Sequence, residues 1–137
     1  MASGGCGDGK QLAAALALGA EGMNMGTRWM ATVEAPLHDN IKRALVEGDE
    51  NGTVLVMRSM RNTERVYKNK AAMEVLDIER ENPGDFSKIS HIMKGDNYRH
   101  VFHDSGAIEE GVWSVGTVMG LIDRVSSCQE VAEEIVR

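Results

Sequence analysis

The chain has 137 residues, of which 42% are hydrophobic and 26% are charged, as in an ordinary folded domain. Its net charge of −6 argues against nucleic acid or an anionic membrane as the main partner, because both bind basic surfaces. Two widely separated cysteines, without the spacing of a disulfide framework or a zinc site, favour a reduced, cytoplasmic location and no metal. No apolar run approaches the roughly 18 residues of a membrane span.

The N-terminal elements predict half of a β/α repeat. Asp8 is a helix cap for Lys10–Leu18, and Gly19 is expected to end that helix in a left-handed conformation. This helix is rich in Ala and Leu nearly all round, so we expect both of its faces to be covered. Residues 20–25 predict a short strand that ends at Gly26-Thr27. A loop, a helix and a strand in this order are typical of an α/β protein.

The rest of the chain is predicted to be mainly helical. The expected elements are a helix from Pro36 to about Val46, a strand at 53–57, a polar bend at 58–65, helices at 69–81 and 86–94, an irregular segment at 96–106, a helix at 111–122 and a last helix capped by Ser126. We divide the chain into 1–35 with the glycine turns, 36–110 as a helical subdomain with a short strand, and 111–137 as C-terminal helices that pack back on the first part.

The first glycine-rich segment, Ser3-Gly4-Gly5-Cys6-Gly7-Asp8-Gly9-Lys10, is a candidate phosphate site. A glycine turn that opens a helix exposes backbone N–H groups at the positive end of the helix dipole. A plain tight turn explains the same glycines equally well. The segment nearly matches a P-loop, but Gln11 stands where that motif has the Ser or Thr that binds magnesium, so we reject a nucleoside triphosphate site.

A second glycine turn, Met25-Gly26-Thr27, follows the next predicted strand. In a β/α barrel, the loops after two consecutive late strands can share one phosphate. The helix between the two turns has the length that a crossover connection needs. The pair of turns therefore predicts a phosphate site more specifically than either turn does.

Motifs along the whole chain carry a resemblance to a known family. The early motifs are Ala2-Ser3-Gly4-Gly5, Asp8-Gly9-Lys10, the segment 12–20 and Met23-Asn24-Met25-Gly26-Thr27-Arg28-Trp29, and the later ones are 31–38, 58–63, 111–116 and 120–123. Together these motifs resemble those of the nitronate monooxygenases, formerly called 2-nitropropane dioxygenases.

The resemblance implies an α/β fold consisting of the last β/α units of a TIM-type barrel and a mainly helical C-terminal subdomain. It implies that Ser3, Gly4 and Gly5 hold the phosphate of FMN through backbone and hydroxyl groups, and that Met25, Gly26 and Thr27 join them. The family's catalytic histidine lies in a segment upstream of these motifs, so the chain is expected to correspond to the C-terminal portion of such an enzyme.

Three functions remain open on the resemblance. The first is oxidation of alkyl nitronates by molecular oxygen, and the second is reduction of quinones by NAD(P)H, so the small-molecule partner is a nitronate or a quinone. The third is a non-catalytic protein that binds FMN weakly. We expect the chain alone to be inactive and to associate through exposed strand edges.

Two further groups of residues allow alternative interpretations. The arginines Arg58, Arg61 and Arg65 could clamp an anion, or they could pair with nearby acids such as Glu64. Trp113 and Ser114 could border a flavin or substrate cavity, or they could be core residues.

Overall fold

The computed structural model describes residues 1–137 as a mixed α/β fold that divides into two compact units. Unit 1 comprises Met1–Pro36, Lys42–Asn51 and Gly116–Arg137, and unit 2 comprises Leu37–Ile41 and Gly52–Val115. The division of the chain at residues 35 and 110 stays a prediction. Residues 42–51, which we grouped with the helical subdomain, lie in unit 1.

Unit 1 contains a parallel β/α repeat. Strand β1 (Ala2–Ser3) pairs with strand β2 (Met23–Asn24), with Ala2 opposite Met23 and Ser3 opposite Asn24. Helix α1 (Gly9–Ala17) makes the connection that two parallel strands require. The predicted helix between Asp8 and Gly19 is confirmed, and Gly19 has a φ of 92°.

Two further helices and a 3₁₀ turn complete unit 1. They are α2 (Thr27–Met30), α6 (Cys128–Val136) and the turn Thr117–Leu121. Helix α3 (Asp39–Glu47) continues from unit 2 into unit 1. The buried apolar residues of unit 1 are Ala31, Ala44, Leu45, Val118, Met119, Ile122 and Val131.

Helix α1 contributes no residue to this core, contrary to the expectation that both its faces are covered. Leu16 is 49% exposed and Leu18 is 89% exposed. The helix touches α6 near its start, where a Cβ on Gly9 would lie 2.8 Å from the carbonyl oxygen of Ile135. Leu12 and Ala15 are half-buried, and Ala13, Ala14 and Ala17 are exposed.

Unit 2 is built on an antiparallel hairpin and a long helix. Strands β3 (Thr53–Val56) and β4 (Glu64–Tyr67) pair with Thr53 opposite Tyr67, and α4 (Lys70–Glu81) follows. Helix α5 (Gly95–Arg99) continues directly into a π-helical turn, His100–Ser105. The core of unit 2 consists of Val56, Met57, Val66, Ala71, Ala72, Val75, Ile89, Ile92 and Val112.

Several elements predicted after residue 57 differ in the structure. Strand β4 lies partly in the predicted polar bend, the segment 96–106 is helical rather than irregular, and the predicted helix 86–94 is only a 3₁₀ turn at Phe86–Lys88. The predicted last helix begins one residue later than expected, with Ser127 as its cap. No helix is long and apolar enough to cross a membrane.

The predicted helix at 111–122 is also wrong, and pairing with β4 explains the difference. Ser114 forms an antiparallel bridge with Val66, and the N–H of Tyr67 donates to the carbonyl of Trp113 at 3.0 Å. Extended pairing with a neighbouring strand satisfies the same backbone groups that a helix would use, and the apolar spacing alone does not distinguish the two.

Candidate functional site

The two predicted glycine turns lie side by side in unit 1. The first turn follows β1 and the second follows β2. Because the strands are parallel and in register, their carboxyl ends are neighbours at a strand spacing of about 4.8 Å. A side-chain bond also joins them, since Asn24 Nδ2 donates to Ser3 Oγ at 3.1 Å.

Both turns present backbone N–H groups that have no acceptor in the protein. In the first turn these groups belong to Gly5 and Cys6, and in the second to Met25 and Gly26. All four residues follow the carboxyl ends of β1 and β2. Free backbone donors at the carboxyl ends of parallel strands are typical of phosphate sites in α/β proteins.

The space above these turns is open to a ligand. A Cβ added to Gly4 or Gly26 would meet no atom within 4 Å, and one added to Gly5 would lie 3.9 Å from Thr117 Oγ1. Gly4 and Gly5 have φ values of 88° and 69°, which glycine adopts at little cost and other residues avoid. The conformation of the first turn therefore requires glycine, whereas Gly26 only leaves room.

Gln11 fixes the first turn, and the sequence analysis did not assign it this role. Its Oε1 accepts from the N–H groups of Gly7 at 2.7 Å and Asp8 at 3.2 Å, and its Nε2 donates to the carbonyl of Gly5 at 2.7 Å. Asp8 in turn accepts from the N–H of Gln11 at 2.8 Å. The spacing Asp8-x-x-Gln11 is a capping-box signal that could have identified Gln11 from the sequence.

Thr27 connects the second turn to a distant loop. Its side chain is buried, and its Oγ1 accepts from the N–H of Gly116 at 2.8 Å. The exposed Thr117 follows and lies near Gly5. Gly116 and Thr117 thus border the site, although no sequence signal relates them to Thr27, from which Gly116 is separated by 89 positions.

Arg28 places a buried positive charge in the same unit. The residue is 6% exposed, its Nη2 lies 4.0 Å from Glu134 Oε2, and its Nη1 has no acceptor. Burial lowers the pKa of the guanidinium, although the charge of Glu134 partly opposes this. Arg28 adds a positive potential that favours an anion in its surroundings.

The site can bind an anion but offers no general base. The residues of the two turns, Ser3–Cys6 and Met25–Thr27, include no histidine and no carboxylate. These turns offer backbone N–H groups, hydroxyls and the thiol of Cys6, which donates to the carbonyl of Gly4 at 3.5 Å. Binding and orientation are therefore the chemistry that this site provides.

The remaining candidates from the sequence lie in unit 2. Glu64 accepts from the hydroxyl of Ser114 and forms no ion pair with Arg58, Arg61 or Arg65, whereas the charge of Arg58 acts on Glu79. Arg65 instead donates to Thr53 Oγ1 at 2.9 Å. Trp113 is fully buried and stacks on Tyr67 with ring centroids 4.4 Å apart, which makes it a core residue.

Comparison with known proteins identifies relatives of the chain. The chain is 29% identical to a hydroxy-methyl-oxo-octahydro-indene-carboxyl-CoA dehydrogenase of Mycobacterium tuberculosis, across 99% of the chain and 48% of the relative. FabK of Thermotoga maritima superposes with a TM-score of 0.88 and 33% identity, covering 97% of this chain and 41% of that one.

A nitroalkane oxidase of Streptomyces ansochromogenes has the same fold, with a TM-score of 0.73 and 22% identity over 97% of this chain and 37% of that one. The chain spans less than half the length of these proteins. The family model for nitronate monooxygenase matches residues 1–137, and the chain therefore belongs to the nitronate monooxygenase family of flavin-type oxidoreductases.

Proposed function

We propose that the chain forms the FMN-phosphate site of an oxidoreductase that oxidises alkyl nitronates with molecular oxygen. The observation that carries this proposal is the set of free N–H groups at Gly5, Cys6, Met25 and Gly26, beside open space at the carboxyl ends of β1 and β2. A phosphate oxygen accepts such donors at about 2.7–2.9 Å. The free backbone N–H groups and the open space beside them fit the phosphate of FMN.

In this proposal, each element of unit 1 has a separate task. The N–H groups bind the phosphate, the hydroxyl of Ser3 lies beside them, and Gln11 keeps the first turn in shape. Thr27 holds the loop at Gly116 against the second turn. FMN itself, when bound, supplies the redox chemistry, and the protein positions it.

We further propose that β1 and β2 belong to a TIM-type barrel whose other strands lie outside these residues. Parallel strands joined by a crossover helix are the repeating unit of that fold. The bare apolar surface of α1, with Leu16 and Leu18 exposed, is the kind of surface that a neighbouring β/α unit covers. The groups that contact the flavin ring and move protons would come from that part.

A second candidate substrate is a carboxyl-CoA thioester. It is favoured because the relative from M. tuberculosis, which matches nearly the whole chain, is named as a dehydrogenase of such a thioester. The phosphate site is common to both candidates, so it does not choose between them. Oxygen consumption with an alkyl nitronate, compared with reduction of a dye by a carboxyl-CoA thioester, would distinguish them in an enzyme with the complete barrel.

The phosphate site is tested by replacing Gly26 with Val. The new side chain would enter open space, since Gly26 has a φ of −103° and no atom near its Cβ position, so the fold should persist. It would occupy the space that the phosphate needs. We expect the affinity for FMN, measured by quenching of flavin fluorescence, to fall at least about tenfold, the equivalent of one lost charge-assisted hydrogen bond.

Gly22→Val is the matched control, because Gly22 lies in the same unit and its Cβ position is equally open. It should bind FMN as the unmodified chain does. Riboflavin, which lacks the phosphate, should bind much more weakly than FMN. Equal binding of riboflavin and FMN, or unchanged binding in Gly26→Val, would overturn the proposed site.

A further inference from the structure

A separate groove lies in unit 2, between the loop that joins β3 to β4 and the turn at Gly84–Phe86. Its volume is about 440 Å³, within the range that holds a small organic ligand. Three apolar side chains line it, from Met57, Met60 and Phe86, and Phe86 is 51% exposed. We infer that this groove binds an acyl or alkyl chain bearing a phosphate or carboxylate, with Arg61 as the contact for the charged group.

Hydrogen bonds to one buried carboxylate hold the groove in shape. Glu79 accepts from the N–H of Met57 at 2.9 Å and from the N–H and hydroxyl of Ser59, both at 2.7 Å. The hydroxyl of Ser59 then accepts from the N–H of Gly84 at 3.0 Å. The chain of bonds joins the two walls, so a ligand would enter a preformed groove and would not have to order it.

Arg61 is the one charged residue among those that line the groove. Arg61 is exposed, and its guanidinium has neither an ion pair nor a hydrogen bond. Arg58 lies in the same loop, and its charge acts on the carboxylate of Glu79. An unpaired guanidinium beside apolar side chains is complementary to an amphipathic anion.

The backbone conformation of the loop between β3 and β4 also favours a ligand site. Met57 and Arg61 are the two non-glycine residues of the chain with positive φ, at 56° and 54°. Side chains other than Asn and Asp rarely adopt this conformation, and residues held in it concentrate at ligand sites. Asn adopts a positive φ more readily than Arg does, so the backbone conformation at position 61 does not by itself favour Arg.

Calorimetric titration of the 137-residue chain with decyl phosphate, decanoate and decanol, each below its micelle-forming concentration, tests the inference. The two anions should bind, and decanol should bind at least about tenfold more weakly because it cannot form a charge-assisted hydrogen bond. The tighter of the two anions identifies the head group. Equal affinity for decanol and the anions, or no binding by any of the three, would overturn the inference.

Arg61→Asn gives the sharper test, because it removes the guanidinium while suiting the left-handed backbone. We expect the thermal midpoint to stay the same or to rise, while the affinity for decyl phosphate falls at least about tenfold. Arg99→Asn, at an exposed arginine of unit 2 outside the groove, is the control and should bind normally. Normal binding by Arg61→Asn would show that Arg61 is not the contact.

Discussion

Helices α1 and α4 begin in the same way but depend on their surroundings very differently. Asp8 caps α1 and Asn69 caps α4, each by accepting from the third backbone N–H of its helix. Helix α4 then buries Ala71, Ala72 and Val75, whereas α1 buries no residue. The comparison shows that identical local signals start both helices, while only α4 is stabilised by a core within this chain.

The loops beside the two helices repeat this contrast. Gln11 holds the first glycine turn through neighbours at most six positions away, near the surface. Glu79 holds the loop at Met57 and Ser59 from about twenty positions away, in a buried place. A turn that offers its N–H groups to a ligand must stay exposed, so hydrogen bonds to nearby residues have to maintain it. The loop at Met57 and Ser59 depends instead on tertiary packing.

The largest expected effect is a loss in the free energy of unfolding when a core residue of unit 2 is replaced. Trp113→Ala removes a fully buried ring that stacks on Tyr67 and donates through Nε1 to the carbonyl of Ile108. We expect a loss of about 3–5 kcal/mol in the free energy of unfolding, measured by urea titration. Leu18→Ala, at the exposed C-cap of α1, should change it by less than about 0.5 kcal/mol. Similar losses for both variants would contradict the contrast.

A smaller effect, which depends on pH, is expected at Glu79. Burial raises the pKa of this carboxyl. Hydrogen bonds from Ser59 and Met57 and the charge of Arg58 lower the pKa by more than burial raises it, so the net pKa lies below its ordinary value of 4.5. A carboxyl with a lowered pKa in the folded state stabilises the fold above about pH 4.5. That stabilisation disappears as the pH falls through the folded-state pKa.

Glu79→Gln should therefore lower the free energy of unfolding at pH 7 by about 1–3 kcal/mol, because an amide cannot accept all three bonds that the carboxylate accepts. The difference from the unmodified chain should narrow as the pH drops below 4.5. Unfolding titrations at pH 7 and near pH 3 measure both values. A difference that stays constant with pH would mean that the charge of Glu79 contributes nothing.

The smallest effect is expected at the cap of α1. Asp8→Ala should cost about 0.5–2 kcal/mol in the stability of this helix, and the loss should remain local because α1 buries no residue. Faster amide hydrogen exchange confined to residues 9–17 is the expected readout. Asn69→Ala should instead affect the whole of unit 2, since Asn69 also donates to the carbonyls of Ile108 and Gly111. Exchange that spread beyond α1 in Asp8→Ala would show that the helix is coupled to the core.

Local signals were enough to predict the first part of the chain. The cap at Asp8, the left-handed Gly19 and the strand that ends before Gly26 all use neighbours within a few positions, so they could be read correctly from the sequence. The roles in FMN binding stay a prediction for all six site residues, Ser3, Gly4, Gly5, Met25, Gly26 and Thr27. The family motifs also extend along the chain, and the family model matches every residue.

Tertiary contacts decided the rest. Residues 113–115 have an apolar pattern that fits a helix, but pairing with β4 makes them extended. The bond from Gly116 to Thr27 and the bonds from Met57 and Ser59 to Glu79 join residues that are far apart in the chain. A buried backbone N–H must find an acceptor, yet the sequence does not state which distant group it will be. The sequence alone therefore determined the glycine turns and their caps, while the fold determined which distant side chains hold them.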